Sequence, residues 1–151
     1  MLVVTDSTAL ISLDRIGRLD LLPTVYPEVM APPAVVEEFG RRPDWLAVRS
    51  PQDADAAWAA RAHLDAGEAE AIALALERPG SAVLLDEQRG RAYAAALGVH
   101  VVGTFGTLIR AKREGLIPEV RPLLDALMEA EFYASSALYH RTLVLAGEAS
   151  P

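Results

Sequence analysis

The 151-residue sequence contains no cysteine. Disulfides, thiolate catalysis and cysteine-ligated zinc are therefore excluded, and the composition fits a cytoplasmic protein. Lysine is nearly missing: of 14 basic residues only Lys112 is not an arginine. Basic charge is also the minority sign, 14 residues against 21 acidic for a net charge of −7, which excludes a broad basic surface for non-specific nucleic-acid binding. An enzyme that meets phosphate through a metal ion held by carboxylates is not excluded. Although 52% of the residues are hydrophobic, no apolar run approaches the ~20 residues of a membrane span. No basic leader precedes an apolar segment at the N-terminus, so neither a signal peptide nor membrane contact is expected. Internal repeats, low-complexity tracts and long linkers are absent too. What remains is one domain, long enough for a substantial core.

Short apolar runs alternate with helix-like stretches. Leu2-Val3-Val4 reads as a strand that runs out at Asp6, with Ser7 or Thr8 as N-cap of a helix over 9–16 stopped near Gly17. Leu19 to Tyr26 reads as a short helix or turn, and 28–31 as a second strand. Ala34 to Phe39 reads as a helix opened by Pro32-Pro33 and closed by Gly40. Arg41 to Gln52 reads as a loop. An Ala-rich helix is expected from Asp53 to Ala66, punctuated by Gly67, with a second helix from Glu68 to Arg78. Residues 82–85 and 99–102 are further expected strands; 88–97, 105–113, 119–132 and 135–146 are expected helices. This alternation predicts an α/β fold with a mainly parallel central sheet flanked by helices.

Four carboxylates stand out. Asp6 and Asp86 each follow a short apolar run, at the strand ends where α/β proteins gather functional groups; the plainer alternative for Asp6 is a helix cap. Helical geometry separates the paired acids. Relative to Val35, Glu38 lies at about −60° and Glu37 at about +200°, so Glu38 flanks the apolar stripe. Relative to Ile72, Glu68 lies at about −40° and Glu70 at about +160°, so Glu68 sits on the apolar face. A carboxylate there is costly unless paired or bound to metal, although first-turn stabilisation by the helix dipole is an alternative. Oxygen ligands without Cys or paired His favour Mg²⁺ or Mn²⁺ over zinc.

Asp6-Ser7-Thr8-Ala9-Leu10-Ile11, Val35-Val36-Glu37-Glu38, Gly67-Glu68-Ala69-Glu70-Ala71-Ile72 and Leu84-Leu85-Asp86-Glu87, with Gly90-Arg91, together resemble a PIN domain. Gly103-Thr104-Phe105-Gly106-Thr107-Leu108, Ala111-Lys112 and Gly115-Leu116-Ile117 are similar to a subgroup close to the VapC-type toxins. The resemblance implies a PIN-like domain over about 1–147, with its core over about 1–117, a C-terminal helical extension over about 118–147 and a tail over 148–151. It implies a metal-dependent ribonuclease that uses Mg²⁺ or Mn²⁺, leaves a 3′-hydroxyl and a 5′-phosphate, and forms a homodimer. Toxin members are held in check by a small antitoxin protein. Asp6, Glu38 and Asp86 match the first, second and fourth acids of the family's quartet. The third is usually Asp; here it is Glu68, or else Glu70, and the distance to Asp86 favours Glu68. Glu87 is an accessory acid or simply an exposed one.

Given the resemblance, the Thr104 hydroxyl either faces the substrate phosphate or caps a helix. Arg89, Arg91, Arg110, Lys112 and Arg113 gather after Asp86 and line either an RNA path or a solvated face. Arg41-Arg42 is a weaker candidate of the same kind. Leu123, Leu124, Leu127, Phe132, Tyr133, Leu138, Tyr139 and Leu143 form a stripe for the core or for a partner. Two rival readings stand beside the nuclease. One is a phosphatase with Asp6 as nucleophile, disfavoured by Thr8 where a second Asp is needed. The other is a PIN-like scaffold with weak metal affinity, kept alive by the glutamate at the third position.

Overall fold

The computed structural model describes residues 1–151. Five strands, β1 (Leu2–Thr5), β2 (Glu28–Ala31), β3 (Leu46–Val48), β4 (Ala82–Leu84) and β5 (His100–Val102), form one parallel sheet in the order β3-β2-β1-β4-β5. Nine helices accompany it: α1 (Ser7–Arg15), α2 (Leu21–Val25), α3 (Pro33–Phe39), α4 (Ala54–Ala60), α5 (Ala66–Leu76), α6 (Gln88–Ala96), α7 (Thr104–Arg113), α8 (Arg121–Glu129) and α9 (Ser136–Leu145).

The strands are short and almost wholly apolar because both faces of a parallel sheet are covered by helices. Side chains alternate between those faces. Val3 lies opposite Val29 and Ala82, and Val4 opposite Met30 and Val83. The first set joins a core with Leu10 and Leu13 of α1, Leu108 of α7, Leu124 and Leu127 of α8 and Leu143 of α9. The second set meets Ile72 and Leu74 of α5 and Ala94 of α6. Each fully buried leucine contributes about 1.5–3 kcal/mol relative to an exposed one. The segment after residue 117 is thus packed into the same core as β1. Its apolar stripe divides: Leu124, Leu127, Phe132 and Leu143 are buried, whereas Tyr133 and Leu138 are exposed.

Several boundaries differ from the sequence expectations, each for a local reason. β3 lies inside the stretch read as loop; it is an edge strand of three residues between Pro43 and Pro51, too short to show a period. The Ala-rich helix stops at Ala60, because Asp65 begins a new helix by accepting the Glu68 N–H at 2.8 Å. Gly67 is therefore inside α5 and does not separate two helices. The N-cap of α1 is Asp6, not Ser7 or Thr8, since only Asp6 has extended backbone and reaches the Ala9 N–H, at 3.5 Å. α8 is shorter than expected and ends before Glu131, which has a φ of 67°.

From β1 the chain crosses first to β2 and β3 on one side, then to β4 and β5 on the other. The strand order reverses between β1 and β4. In such sheets a crevice opens there, beyond the carboxyl ends of the strands. No helix is long and apolar enough to cross a membrane.

Candidate active site

Asp6 follows β1 at the point where the strand order reverses, and its N–H bonds the Leu84 carbonyl at 3.3 Å. It is 3% exposed. Burial pushes its carboxyl well above the usual carboxylate range, and the charges of Asp86, Glu68 and Asp65 push the same way, while the Ala9 N–H opposes them. Asp6 thus caps α1 and also faces three other acids.

Asp86 leaves the sheet two residues after β4. Its Oδ1 accepts the Thr104 N–H at 2.8 Å, and its Oδ2 accepts the Thr104 hydroxyl at 2.5 Å. Burial raises its pKa; the two Thr104 bonds and the Arg91 charge act against that rise. Arg91 itself is fixed by donating from Nη1 to the Leu85 carbonyl at 2.7 Å. Gly103 makes this arrangement fit. A Cβ there would lie 2.8 Å from Arg91 Nη1 and 3.2 Å from Asp86 Oδ1.

Glu68, in the first turn of α5, is 6% exposed, and its Oε2 has no hydrogen-bond partner. Burial raises its pKa to about 7, helped by the neighbouring Asp65 carboxyl and the charge of Glu87. A Cβ on Gly90 of α6 would stand 2.6 Å from that Oε2, so the glycine leaves room for the carboxylate. Glu70 does not point into solvent as its helical angle suggested. It is half-buried, and its Oε2 also lacks a partner. The reason is that α5 packs between the sheet and its helical neighbours and is buried almost all round, from Gly67 to Ala69 and from Ala71 to Ala75.

Glu38 and Glu37 are both exposed, so flanking the apolar stripe of α3 does not bury Glu38. Glu38 still faces α5: its Oε2 lies 3.6 Å from the place of a Cβ on Gly67. The two glutamates border a groove of about 540 Å³ with Asp65 and Gly67. The structure therefore brings Asp6, Glu68 and Asp86 into one electrostatic cluster, adds Asp65, and leaves Glu38 at the rim. No three of these acids close into a metal cage. Asp6 and Asp86 are turned onto backbone N–H groups, and the Glu68 Oε2 lies beside Gly90. The donor set nevertheless suits a hard divalent cation: it is all oxygen, it carries an orphaned buried atom, and Arg91 is the only nearby cation that lowers any of these pKa values.

The remaining candidates separate clearly. Thr104 is buried and holds Asp86; the N-cap of α7 is Gly103, so Thr104 neither caps that helix nor leaves a free hydroxyl for phosphate. Arg91 belongs to the cluster, and Arg89 is exposed on α6. Lys112 does not line the cluster. Its amine donates to the Ala146 carbonyl at 2.6 Å and Glu148 at 3.1 Å, and it lies about 12 Å along α7 from Thr104. It ties down the C-terminal segment, which is why Glu148 is no loose tail: it also accepts the Val120 and Arg121 N–H groups, at 2.7 and 3.0 Å. Arg110 pairs with Glu114 at 3.1 Å and stacks over Tyr26. Asp65 escaped the sequence reading, although Asp65-Ala66-Gly67-Glu68 has the acidic spacing of a helix-start signal.

A family model described as a PIN domain matches residues 2–148. The chain belongs to the PIN-domain family. A comparison with curated proteins finds no match. PIN domains are usually nucleases and generally use divalent metal ions, so membership points to nuclease-type chemistry in general terms. In this PIN domain the acids gather where the strand order of the parallel sheet reverses.

Proposed function

We propose that this PIN domain is a divalent-metal-dependent ribonuclease that hydrolyses RNA phosphodiester bonds. The observation that carries the reading is the convergence of Asp6, Glu68 and Asp86, raised in pKa by burial and, for Asp6 and Glu68, by the charges of neighbouring acids. Like charges are gathered in this way at a cost, and a cation offsets it. Asp6, Glu68 and Asp86 would hold the ion, with Glu38 reaching in from the rim. When bound, Mg²⁺ or Mn²⁺ lowers the pKa of water and offsets charge on the phosphate. Thr104 fixes the Asp86 carboxylate, and Gly90 and Gly103 keep the space around the acids open.

The motifs after Asp86 that resemble VapC-type toxins support a finer reading: a homodimeric toxin controlled by a small antitoxin, cutting RNA in the cytoplasm to leave a 3′-hydroxyl and a 5′-phosphate. The PIN-like scaffold is the second reading, favoured by the exposure of Glu38 and the lack of a closed three-acid cage. Cleavage of single-stranded RNA in Mg²⁺ or Mn²⁺, abolished by EDTA, tests the two. Asp6→Asn is expected to lose activity on the order of 10²–10³-fold, as when one preorganised electrostatic group is removed. Equal activity in wild type and Asp6→Asn sinks the nuclease reading. RNA binding without cleavage favours the scaffold.

A further inference from the structure

Tyr133 is the most exposed large hydrophobic side chain of the domain, at 89%. It lies between α8 and α9, in a segment pinned on both sides. Phe132 is buried and stacks on Phe105 with ring centroids 5.2 Å apart, and its N–H bonds the Leu127 carbonyl at 2.9 Å. Glu131 before it is the one non-glycine residue with positive φ. Ser135 after it caps α9 by accepting the Leu138 N–H at 3.0 Å. The ring is held out by a built turn. An apolar ring displayed this way gains nothing for the fold.

Two clefts, of about 340 and 450 Å³, meet on this ring, and both are bordered by Asp86, Phe132 and Tyr133. Gln88 and Arg91 line the first; Arg15 lines the second beside Glu87 and Glu131. An aromatic face with a guanidinium alongside is the surface on which unpaired bases stack. The acids Glu87 and Glu131 oppose a phosphate in the second cleft, whereas the first has Asp86 as its sole acid and Arg91 beside it. A paired base has its faces covered by its neighbours and would have to unstack first.

We propose that Tyr133 is a stacking platform for one unpaired base of an RNA strand whose adjacent phosphate lies toward Asp86 and Arg91. The subsite is what the proposal adds, and it rests on the ribonuclease reading for the meaning of Asp86. Tyr133 sets substrate affinity from beside the acids and takes no part in the chemistry.

The test pairs binding with cleavage. Binding of a short fluorescein-labelled RNA is followed by anisotropy in Ca²⁺, and its cleavage in Mn²⁺. Tyr133→Ala is expected to weaken binding about tenfold, within the range for losing one base–aromatic stack. Tyr133→Trp should retain binding, kcat should change little, and a matched duplex should bind less well. An abasic nucleotide beside the cut site should cost the wild type a similar factor and Tyr133→Ala nothing more. Wild-type affinity in Tyr133→Ala, or losses from the two changes that multiply, overturns the subsite and leaves the ridge to another occupant such as a protein segment. Tyr133-dependent binding without cleavage supports the subsite while the nuclease reading fails. Cleavage with an unchanged KM in Tyr133→Ala does the reverse.

Discussion

The two edges of the sheet both carry cavities, and their chemistry is opposite. At the amino edge, Arg78, Gly80, Ser81, Gly98 and His100 border a space of about 370 Å³. Arg78 Nε is buried there without a partner, and Ser81 donates its hydroxyl to the Ala75 carbonyl at 3.1 Å. At the carboxyl edge, the cleft beside Asp86 has about 340 Å³, and the charges of Asp86 and Glu68 both act on the buried Asp6. Size does not separate the two. Local charge does, and it follows from the topology. Strands of a parallel sheet run out toward helix N-termini, whose partial positive charge favours acids, while helix C-termini return to the amino edge and favour cations. Asp6 heads α1, Asp86 receives the first N–H of α7, and Arg78 follows the end of α5. The carboxyl edge goes further than capping requires, because its acids also raise one another's pKa.

The strongest way to break this comparison is to mutate both edges in one cleavage assay. Asp6→Asn should lose activity on the order of 10²–10³-fold. Arg78→Ala at the amino edge should stay within about twofold of wild type, the change expected for a residue that touches nothing reactive. A comparable loss in Arg78→Ala would mean that the acids act through stability alone.

A smaller effect is expected from Thr104. Its N–H and hydroxyl hold both oxygens of Asp86. Removing a group that orients a metal ligand typically costs about 10–100-fold. Thr104→Ala should fall in that range, measured as kcat/KM at saturating Mn²⁺, and Thr104→Ser should recover most of it. Equal losses in the two variants would show that the methyl packing matters and the hydroxyl does not.

Thr104 also marks where the sequence stopped being readable. The strand-end positions of Asp6 and Asp86 were legible because short apolar runs define strands in a buried parallel sheet. The bond from Thr104 to Asp86 spans 18 residues and depends on β4 and β5 lying side by side, which no local period reports. The same holds for Gly90, whose partner Glu68 is on another helix. β3 was hidden by its length of three residues. Helical angles placed Glu68 on a buried face but misjudged Glu70, since a helix packed on nearly all sides has no solvent face. They set Glu38 beside the apolar stripe of α3 without fixing its burial: α3 buries only Val35 completely, so flanking its stripe does not bury a side chain. Lys112 looked like part of a basic path because the chain had not yet shown where Glu148 returns.

The charge at the carboxyl edge should also be visible in stability without metal. Glu68 has a pKa of about 7 in the fold against an ordinary 4.5. Between those values the folded state binds more protons than the unfolded one, so stability falls as pH rises. The Glu68 contribution is complete below about pH 4.5 and is lost as pH passes about 7. Asp6, also raised, acts in the same direction. In EDTA, Tm should therefore drop across this window, by roughly 2–4 °C for each kcal/mol lost. Glu68→Gln should flatten the drop, and saturating Mn²⁺ should raise Tm most at the high-pH end, where the acids are ionised. A Tm that climbs steadily from pH 4.5 to 7 in EDTA would contradict the raised value for Glu68.

The smallest expected effect is also the most specific, because its sign should reverse. Gly90 sits inside α6, where alanine would ordinarily stabilise the helix by about 1 kcal/mol. In this fold the new Cβ would stand 2.6 Å from Glu68 Oε2, while Leu85 Cδ1, at 3.6 Å, is at ordinary contact distance. The glutamate is packed at 6% exposure and has little room to retreat. Gly90→Ala should thus destabilise the wild type by about 1–3 kcal/mol, the range for overpacking. In a Glu68→Ala background the obstacle is gone, and the same substitution should become stabilising by up to about 1 kcal/mol. Urea unfolding of the four proteins measures this coupling directly. Identical shifts in both backgrounds would mean that Gly90 is not shaped around the carboxylate.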